Sequence, residues 1–366
     1  MSRRRQQGAA LLVLVTLVVV AASYLLLKQL NNKKMQIEQQ TGTAKALASA
    51  KAALMGHALG STVRPGELPC PDTDNDGGSE PTCITGAGLL PWHTLGLEDL
   101  RDGSGERLWY ALSPSFDGTS PINSDSTATL RIDGGSTEIA AIILAPGEPL
   151  PGQNRTAPLP GNIAQYLEDD NANDDNNYVT SATGDFNDRV VVITRDELLQ
   201  ATERRVLGEV RRQLNNYFSD NGVYPFAAAV GDTGQTCQQA LSQGLVPLVI
   251  GTPPPTGGPC TTPDWSASPS AALPSWFIDD WADLIWYAVA PACTPPACIT
   301  VMNTASPDND KQAVLIAGGA KRSGQTRPPA AVTDLLDSAE NTDLDQVFEQ
   351  LPVDAASNDQ IRIVAP

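Results

Sequence analysis

The feature that most constrains this chain is an uncharged run close to its N-terminus, residues 9–27, which follows Arg3, Arg4 and Arg5. An apolar helix of about 19 residues roughly spans the hydrocarbon core of a bilayer. Strong helix formers continue through residues 44–55, and no proline occurs before Pro65. The sequence therefore predicts one long helix over residues 9–59, apolar in its first half and amphipathic in its second, with a large body attached.

Several kinds of N-terminal segment share this pattern. A secretory signal peptide needs a shorter apolar run and a small-residue cleavage site at its far end, whereas this run continues through Leu27. A lipoprotein needs a cysteine at the end of the run, and the first cysteine is Cys70. An uncleaved membrane anchor requires no further signal and is the simplest alternative.

The N-terminus also resembles a type IV prepilin or a pseudopilin of type II secretion. In that family a short basic leader ends in glycine and is removed on the cytoplasmic side, and the apolar helix behind it is retained. The resemblance implies a leader over residues 1–8 and cleavage between Gly8 and Ala9. It also implies a prepilin peptidase and other pilins or pseudopilins as partners, the latter through the N-terminal helix.

One position departs from the family pattern. Most major pilins carry a glutamate at the fifth mature residue, and here that position is Val13. A valine is well suited to lipid, but it cannot supply the charge that pairs with a neighbouring subunit. Within the family this resembles a minor or tip subunit.

Charge and cysteine content indicate the compartment. The leading arginines favour a cytoplasmic N-terminus in the inner membrane, with a single pass and the body in the periplasm or on an extracellular filament. The six cysteines all follow the apolar run, which suits disulfides in an oxidising space. Close spacing favours three local pairs, although other pairings stay open: Cys70–Cys83, Cys237–Cys260 and Cys293–Cys298.

The body is strongly acidic. The formal net charge is −18, and without the three arginines of the leader it is −21, from 21 Lys and Arg against 42 Asp and Glu. Such a surface is unsuited to nucleic acid or to anionic headgroups. The 30 glycines and 29 prolines indicate many turns rather than a helical bundle.

The body contains an internal repeat, since short sequence patterns recur in the same order. The matched segments are 90–92 with 273–276, 108–112 with 284–289, 141–146 with 313–318, 152–155 with 324–327, 163–167 with 332–336, and 187–193 with 358–364. The pattern predicts two domains, residues 60–195 and 196–366. The second begins with a charged amphipathic helix that starts at an Asp196 N-cap and has Leu199, Val206, Val210, Leu214 and Tyr217 at helical spacing.

The resemblance to pilins implies the fold of each domain. A pilin head is a helix packed on a small antiparallel sheet, with a variable loop region between them. We therefore expect an α+β protein, in which a transmembrane helix is followed by two tandem pilin-like domains.

An acidic loop is the one candidate metal site. Asp72, Asp74 and Asp76 alternate before Gly77, like the first half of a calcium loop, and Glu80 could add a carboxylate. A solvated acidic loop is the alternative. A second acidic run, residues 168–175, is typical of a solvated loop. No catalytic motif accompanies His57 or His93, so we expect no enzyme activity.

The tryptophans are interpreted by their place in the repeat. Five of them, Trp92, Trp109, Trp276, Trp281 and Trp286, lie in or near matched segments and are expected in the core. Trp265 has no counterpart and is expected on the surface.

These features favour a minor pilin or pseudopilin of a type IV pilus or type II secretion filament. The alternative is a permanently membrane-anchored periplasmic binding or adhesion protein. An adhesin at a pilus tip is a third interpretation, which differs from the first only in where the second domain points.

Overall fold

The computed structural model describes residues 3–84, 86–135, 138–173, 175–251, 260, 264–295, 297–303, 309–354 and 356–365, without the side chains of residues 3–11. Helix α1, Arg3–Gly60, is continuous over 58 residues and so about 87 Å long. It is followed by a body of short strands and turns, and the chain is an α+β protein with mainly antiparallel sheets. The other helices are α2, Arg195–Asn221, α3, Ser275–Asp280, and α4, Ala339–Thr342.

The second half of α1 packs against the body through one narrow face. Ala46, Ala50, Leu54 and Ala58 recur every fourth residue and are buried. Residues four apart lie on the same side of a helix, and alanines allow its backbone to approach a sheet closely. This face contacts the core of the first sheet, which includes Tyr110.

The first sheet has four antiparallel strands in the order β1-β2-β4-β6. Strand β4 is central and buried at every position, as expected for the uninterrupted apolar run that forms it. A separate pair, β3 and β5, is parallel. The bounds are β1 Ala87–Leu89, β2 Trp109–Leu112, β3 Arg131–Ile132, β4 Ile139–Ala145, β5 Asn177–Tyr178 and β6 Arg189–Thr194.

The second sheet repeats this arrangement in the order β7-β8-β10-β12, again antiparallel. Its companion pair, β9 and β11, is also parallel. The bounds are β7 Gln243–Leu245, β8 Ile285–Val289, β9 Thr300–Met302, β10 Ala313–Ala317, β11 Val347–Glu349 and β12 Gln360–Ala365. We call residues 3–194 the first half of the chain and residues 195–365 the second half.

The two sheets also share their register. One row across the first sheet joins Gly88, Tyr110, Ile143 and Val191, and the matching row joins Gly244, Tyr287, Leu315 and Arg362. The glycines of both rows are needed, because a Cβ at Gly88 would lie 2.7 Å from the Asp72 carbonyl oxygen and one at Gly244 would lie 2.1 Å from that of Ala228. Three of the matched pairs of segments, 108–112 with 284–289, 141–146 with 313–318 and 187–193 with 358–364, therefore fall on corresponding strands.

Helix α2 takes the place in the second half that α1 has in the first. The side chains expected to face the core, from Leu199 to Tyr217, are all buried. The N-cap is Thr194 rather than Asp196, because the Thr194 hydroxyl accepts a hydrogen bond from the Glu197 amide and Asp196 lies in the first turn. The helix ends at Gly222, which has a positive φ of 73°.

The two halves contact each other through charged and polar groups. Arg64 Nε lies 2.8 Å from Asp280 Oδ2, and the Asn123 amide donates to the Asp280 carbonyl at 2.9 Å. Arg205 of α2 donates to the carbonyl of Leu59 in the last turn of α1, where a cation offsets the helix dipole. The bond from Arg205 joins α1 to the second half of the chain, in addition to the packing of α1 on the first sheet.

Three disulfides close local loops. The bonded pairs are Cys70–Cys83, Cys237–Cys260 and Cys293–Cys298, the three that sequence spacing favours. Each joins residues close in sequence, so the bridges close individual loops rather than joining the two halves to each other.

Two expectations about tryptophans are wrong. Trp265 is buried, not exposed, because its ring lies 5.1 Å from that of Tyr217 and its indole N–H donates to the Pro247 carbonyl at 2.9 Å. Trp92 is half-buried rather than in the core, while Trp109, Trp276, Trp281 and Trp286 are buried as expected.

The close contact between α1 and the first sheet predicts the effect of enlarging Ala50. We expect Ala50→Leu to lower the free energy of unfolding by about 1–3 kcal/mol, because the added atoms have no room at the helix–sheet contact. Urea unfolding of the full-length protein in detergent, followed by tryptophan fluorescence, measures this. Ala52→Leu is the matched control on the exposed face of the same turn and should change the value by less than about 0.5 kcal/mol. Equal effects of the two variants would contradict the packing described.

Candidate functional site

The most unusual surface of the molecule is the first half of α1. Its large apolar side chains from Leu12 to Leu30 are 52–67% exposed, although soluble proteins cover such stretches. Among the described residues, α1 is the one helix long and apolar enough to cross a membrane. The apolar run and the three disulfides together indicate single-pass anchoring with the body in an oxidising compartment.

The apolar exposure continues beyond the uncharged run. Leu30, Met35 and Ile37 remain exposed, in a segment that also carries Lys28, Lys33 and Lys34. Partial burial by the body begins at Gln39, and full burial begins at Ala46. A stretch of helix between the membrane-length run and the body is therefore bare, and it presents both apolar and basic side chains.

The body first contacts α1 through a close backbone approach. Gly103 donates its amide to the Thr43 hydroxyl at 2.9 Å, and a Cβ at Gly103 would lie 2.0 Å from the Gln39 carbonyl oxygen. The Gln39 amide donates to Glu148 at 2.9 Å. These contacts fix where the body meets the helix.

The residues of the predicted cleavage site lie at the beginning of α1. Helix α1 includes Arg3–Arg5, Gly8 and Ala9, whose side chains are outside the described part of the chain, as are Met1 and Ser2 altogether. Val13 is exposed on the apolar helix. Cleavage between Gly8 and Ala9 stays a prediction.

The acidic loop brings three of its four predicted carboxylates together. Oxygens of Asp72, Asp74 and Glu80 lie within 4.8 Å of one another, whereas Asp76 is outside this group and accepts from the Gly78 amide. Buried Asp72 accepts from the amides of Asn75 and Gly77 at 2.6 and 2.8 Å. Burial raises the pKa of Asp72, and these amide bonds oppose the rise.

Glu80 closes the other side of this loop, since its Oε1 accepts from both the amide and the hydroxyl of Thr73. Hydrogen bonds within the chain thus organise the carboxylates of the loop. Calcium binding by Asp72, Asp74, Asp76 and Glu80 stays a prediction.

Trp92 and Arg107 hold the acidic loop on the body. The Arg107 guanidinium donates to the Asn75 carbonyl at 3.1 Å and to Asp99 at 3.0 Å, and it lies 6.0 Å from the centre of the Trp92 ring. Gly77 has a φ of 85°, and a Cβ there would lie 2.3 Å from the Trp92 ring. This explains why Trp92 is half-buried, since it supports a loop instead of filling the core.

A buried carboxyl group occurs where the chain enters β6. Asp188 is 3% exposed, and its Oδ2 accepts from the Glu168 amide and from the Asn171 side chain, both at 3.0 Å. The Glu168 carboxylate accepts in turn from the amides of Asn187 and Asp188. We call Glu168, Asn171, Asn187 and Asp188 the first carboxyl corner.

The second half has a counterpart where the chain enters β12. Asp359 is 2% exposed and accepts from the Asp337 amide at 3.1 Å and the Asn341 side chain at 2.9 Å. The Asp337 carboxylate accepts from the Asn358 amide at 3.0 Å. We call Asp337, Asn341, Asn358 and Asp359 the second carboxyl corner.

The corners contain buried acids whose pKa values are raised. Burial, together with the nearby Glu168 carboxylate, raises the pKa of Asp188 to about 8. Burial, together with Asp337, also raises the pKa of Asp359. The run 168–175 is therefore not simply a solvated loop, because Asn171 is fully buried and connects Asp188 to the backbone of Val179.

A cleft of about 470 Å³ lies between the two halves beside α2. Glu203 at its base is 2% exposed and accepts from the Ser124 hydroxyl at 2.7 Å and from the Gln360 side chain. Burial raises the pKa of Glu203 to about 7. The charged residues that line the cleft are Arg195, Asp196, Glu203, Lys321, Arg322 and Asp354.

The repeat in the sequence contains a signal for the corners. Asn187-Asp188 and Asn358-Asp359 recur in the repeat, as do Gln153 and Gln325. Each glutamine donates to the partner acid, Gln153 to Glu168 at 2.8 Å and Gln325 to Asp337 at 3.1 Å. Polar residues that recur at matched positions thus marked a buried network.

The contact between Gly77 and Trp92 predicts how the acidic loop responds to mutation. Gly77→Ala should release the loop, because the new Cβ overlaps the Trp92 ring, and proteolysis should cut residues 72–83 faster. Gly96→Ala is the matched control, because Gly96 also has a positive φ, 68°, but has nothing within 4 Å of the added Cβ. We expect the control to cost about 1–2 kcal/mol from backbone strain and to leave the loop protected. Equal proteolysis of both variants would show that Trp92 does not hold the loop.

Comparison with known proteins adds no relative. No family model, no curated protein and no solved structure matches this chain. What the chain does must therefore be inferred from its own residues, above all from the exposed half of α1.

Proposed function

We propose that this chain is a minor pilin-like or pseudopilin-like subunit that assembles into a filament of a type IV pilus or type II secretion machine through α1. The observation that carries the proposal is the division of one unbroken helix into two environments. From Ala46 onwards one face of the helix is covered by the body, whereas the large apolar side chains from Leu12 to Ile37 are bare.

The exposed helix is suited to two successive surroundings. In the inner membrane, lipid covers its apolar side chains and the helix satisfies its own backbone hydrogen bonds. Outside the membrane, helices of neighbouring subunits would have to cover the same side chains. Exposed apolar residues beyond the membrane-length run, Leu30 and Ile37 among them, favour such helix–helix contact over lipid contact alone.

Two features favour a tip or low-copy position over a repeating shaft subunit. Val13 lacks the charge that major pilins use to pair with a neighbour. The body also contains two sheets, one packed on the second half of α1 and the other on α2. A single exposed helix segment therefore carries both sheets. A body of this size would crowd a thin filament if every subunit carried one.

A second candidate is a permanently anchored periplasmic binding or adhesion protein. The cleft of about 470 Å³ beside α2 favours it, because mixed charges around a buried carboxyl are typical of a site for a polar ligand. Neither candidate involves catalysis, and neither requires contact with nucleic acid. They differ in whether the leader is removed.

The filament proposal predicts that the mature protein begins at Ala9. We expect N-terminal sequencing of protein purified from its native membrane to read from Ala9, and deletion of the prepilin peptidase to leave residues 1–8 attached. Gly8→Val should block removal of the leader, because the resemblance assigns cleavage to the bond after this glycine. Gln7→Ala, a neighbouring change, should be processed normally.

A native polypeptide that still begins with its arginines would contradict the filament proposal. The permanently anchored protein would then be the better description.

A further inference from the structure

The first and second carboxyl corners share their main hydrogen bonds but differ in charge compensation. In the second corner Arg322 Nε lies 2.7 Å from Asp337 Oδ2. The residue that corresponds to Arg322 is Leu150, because both donate their amide to the matched glutamine, Gln325 or Gln153, at 2.9 Å. The acid pair of the first corner therefore lacks the arginine that the second corner has.

The first corner also has a carboxyl oxygen without a donor. Asp188 Oδ1 is buried, and among the described residues none donates a hydrogen bond to it. The Glu168 carboxylate accepts from the Asp188 amide at 3.2 Å, and its charge acts on the buried Asp188 carboxyl group. Two neighbouring carboxyl groups in a buried corner without a cation favour a state in which one of them carries a proton.

Few charges lie around Asp188. Lys51 of α1 shares its cleft but is bound to Glu197 at 2.7 Å and to the Val192 carbonyl at 3.0 Å. Arg155, from the loop before the corner, donates to the Gly147 carbonyl at 2.6 Å and lies 3.5 Å from Glu106. Charged groups on the packed elements also include Asp102, Glu148, Asp169, Asp170 and Arg189.

We propose that Asp188 and Glu168 share one proton and form a pH-sensitive latch, which holds the first corner closed in acid and loosens as the pH rises. The proposal does not depend on the proposed function. It rests on a buried aspartate beside a half-buried glutamate, at a corner that lacks the counterpart of Arg322.

The latch lies at the contact between the body and α1. The Asn187 side chain donates to the Glu148 carbonyl at 2.7 Å, and Glu148 accepts from Gln39 of α1 at 2.9 Å. A groove of about 760 Å³ between α1 and the corner is lined by Gln39, Glu148, Asn187 and Asp188. Opening the corner would therefore release one of the contacts that set the position of the body on its helix.

The direction of the pH effect follows from linkage. The pKa of Asp188 is about 8 in the closed corner and near the usual aspartate value of 3.8 when the corner opens to water. Between these values the open state releases a proton that the closed state keeps, so raising the pH favours opening. The opening equilibrium should rise by up to about tenfold per pH unit across this window and level off above it.

The experiment is amide hydrogen exchange of the full-length protein in detergent micelles, measured at pH 5, 6, 7 and 8 and corrected for the intrinsic exchange rate. We expect protection of residues 146–155 and 166–173 to fall by at least about tenfold from pH 5 to pH 8. In Asp188→Asn the amide can donate to Glu168 as the shared proton does. Protection in this variant should stay constant and exceed that of the natural protein at pH 8.

A second test keeps the acids and exchanges the matched residues Leu150 and Arg322, of which only Arg322 supplies a cation to its corner. Leu150→Arg should reduce the pH dependence of residues 146–155, because a cation favours the ionised pair. Arg322→Leu should increase the pH dependence of residues 320–327, and Asp359→Asn should leave the first corner unchanged. Constant protection of residues 146–155 in the natural protein, or an unchanged pH dependence in Asp188→Asn or Leu150→Arg, would overturn the proposal.

Discussion

The structure depends on the contact between a narrow alanine-rich face of α1 and the first sheet. Ala46, Ala50 and Ala58 allow the helix to lie close to the sheet, and Leu54 fills the space between them. Because this face occupies only the last turns of a 58-residue helix, no part of the chain that the structure describes covers the apolar residues before it. The need for an external partner, whether lipid or protein, follows directly from that geometry.

Regular patterns in the sequence were sufficient for the two long helices, the strand segments of the repeat and the local disulfides. Each of these depends on spacing along the chain, such as the four-residue spacing of the buried face or the run of residues 139–145 that becomes the central strand. Trp265 was misjudged because its proline-rich surroundings indicate a loop, whereas its ring packs on Tyr217, which is distant in sequence. The helix start was misplaced by two residues, because Thr194 and Asp196 are both good caps and only the backbone geometry distinguishes them.

The carboxyl corners were not predicted, for a different reason. Acidic and amide residues in a run such as 168–175 are usually solvated, and composition cannot reveal which of them turns inward. Asn171 turns inward because its side-chain amide makes three hydrogen bonds there. It donates to the Val179 carbonyl and to Asp188, and it accepts from the Val179 amide. The repeat held the missing information, since polar residues that recur at matched positions have a shared structural task. In the acidic loop, by contrast, Asp72 corresponds to Ala228, so that loop belongs to the first half alone.

The same comparison bears on how the two halves divide their roles. Helix α2 begins directly after β6, so the second half cannot extend its own helix into a membrane. It is instead tied to the end of α1 by Arg64, Asp280 and Arg205. In the proposed filament, one exposed helix would thus carry two sheet domains. The contact between these domains does not involve the bare surface of the helix. Under the proposed latch, the first half can then respond to pH at its contact with α1, because its carboxyl corner lacks a counterpart of Arg322. The second corner is stabilised by Arg322.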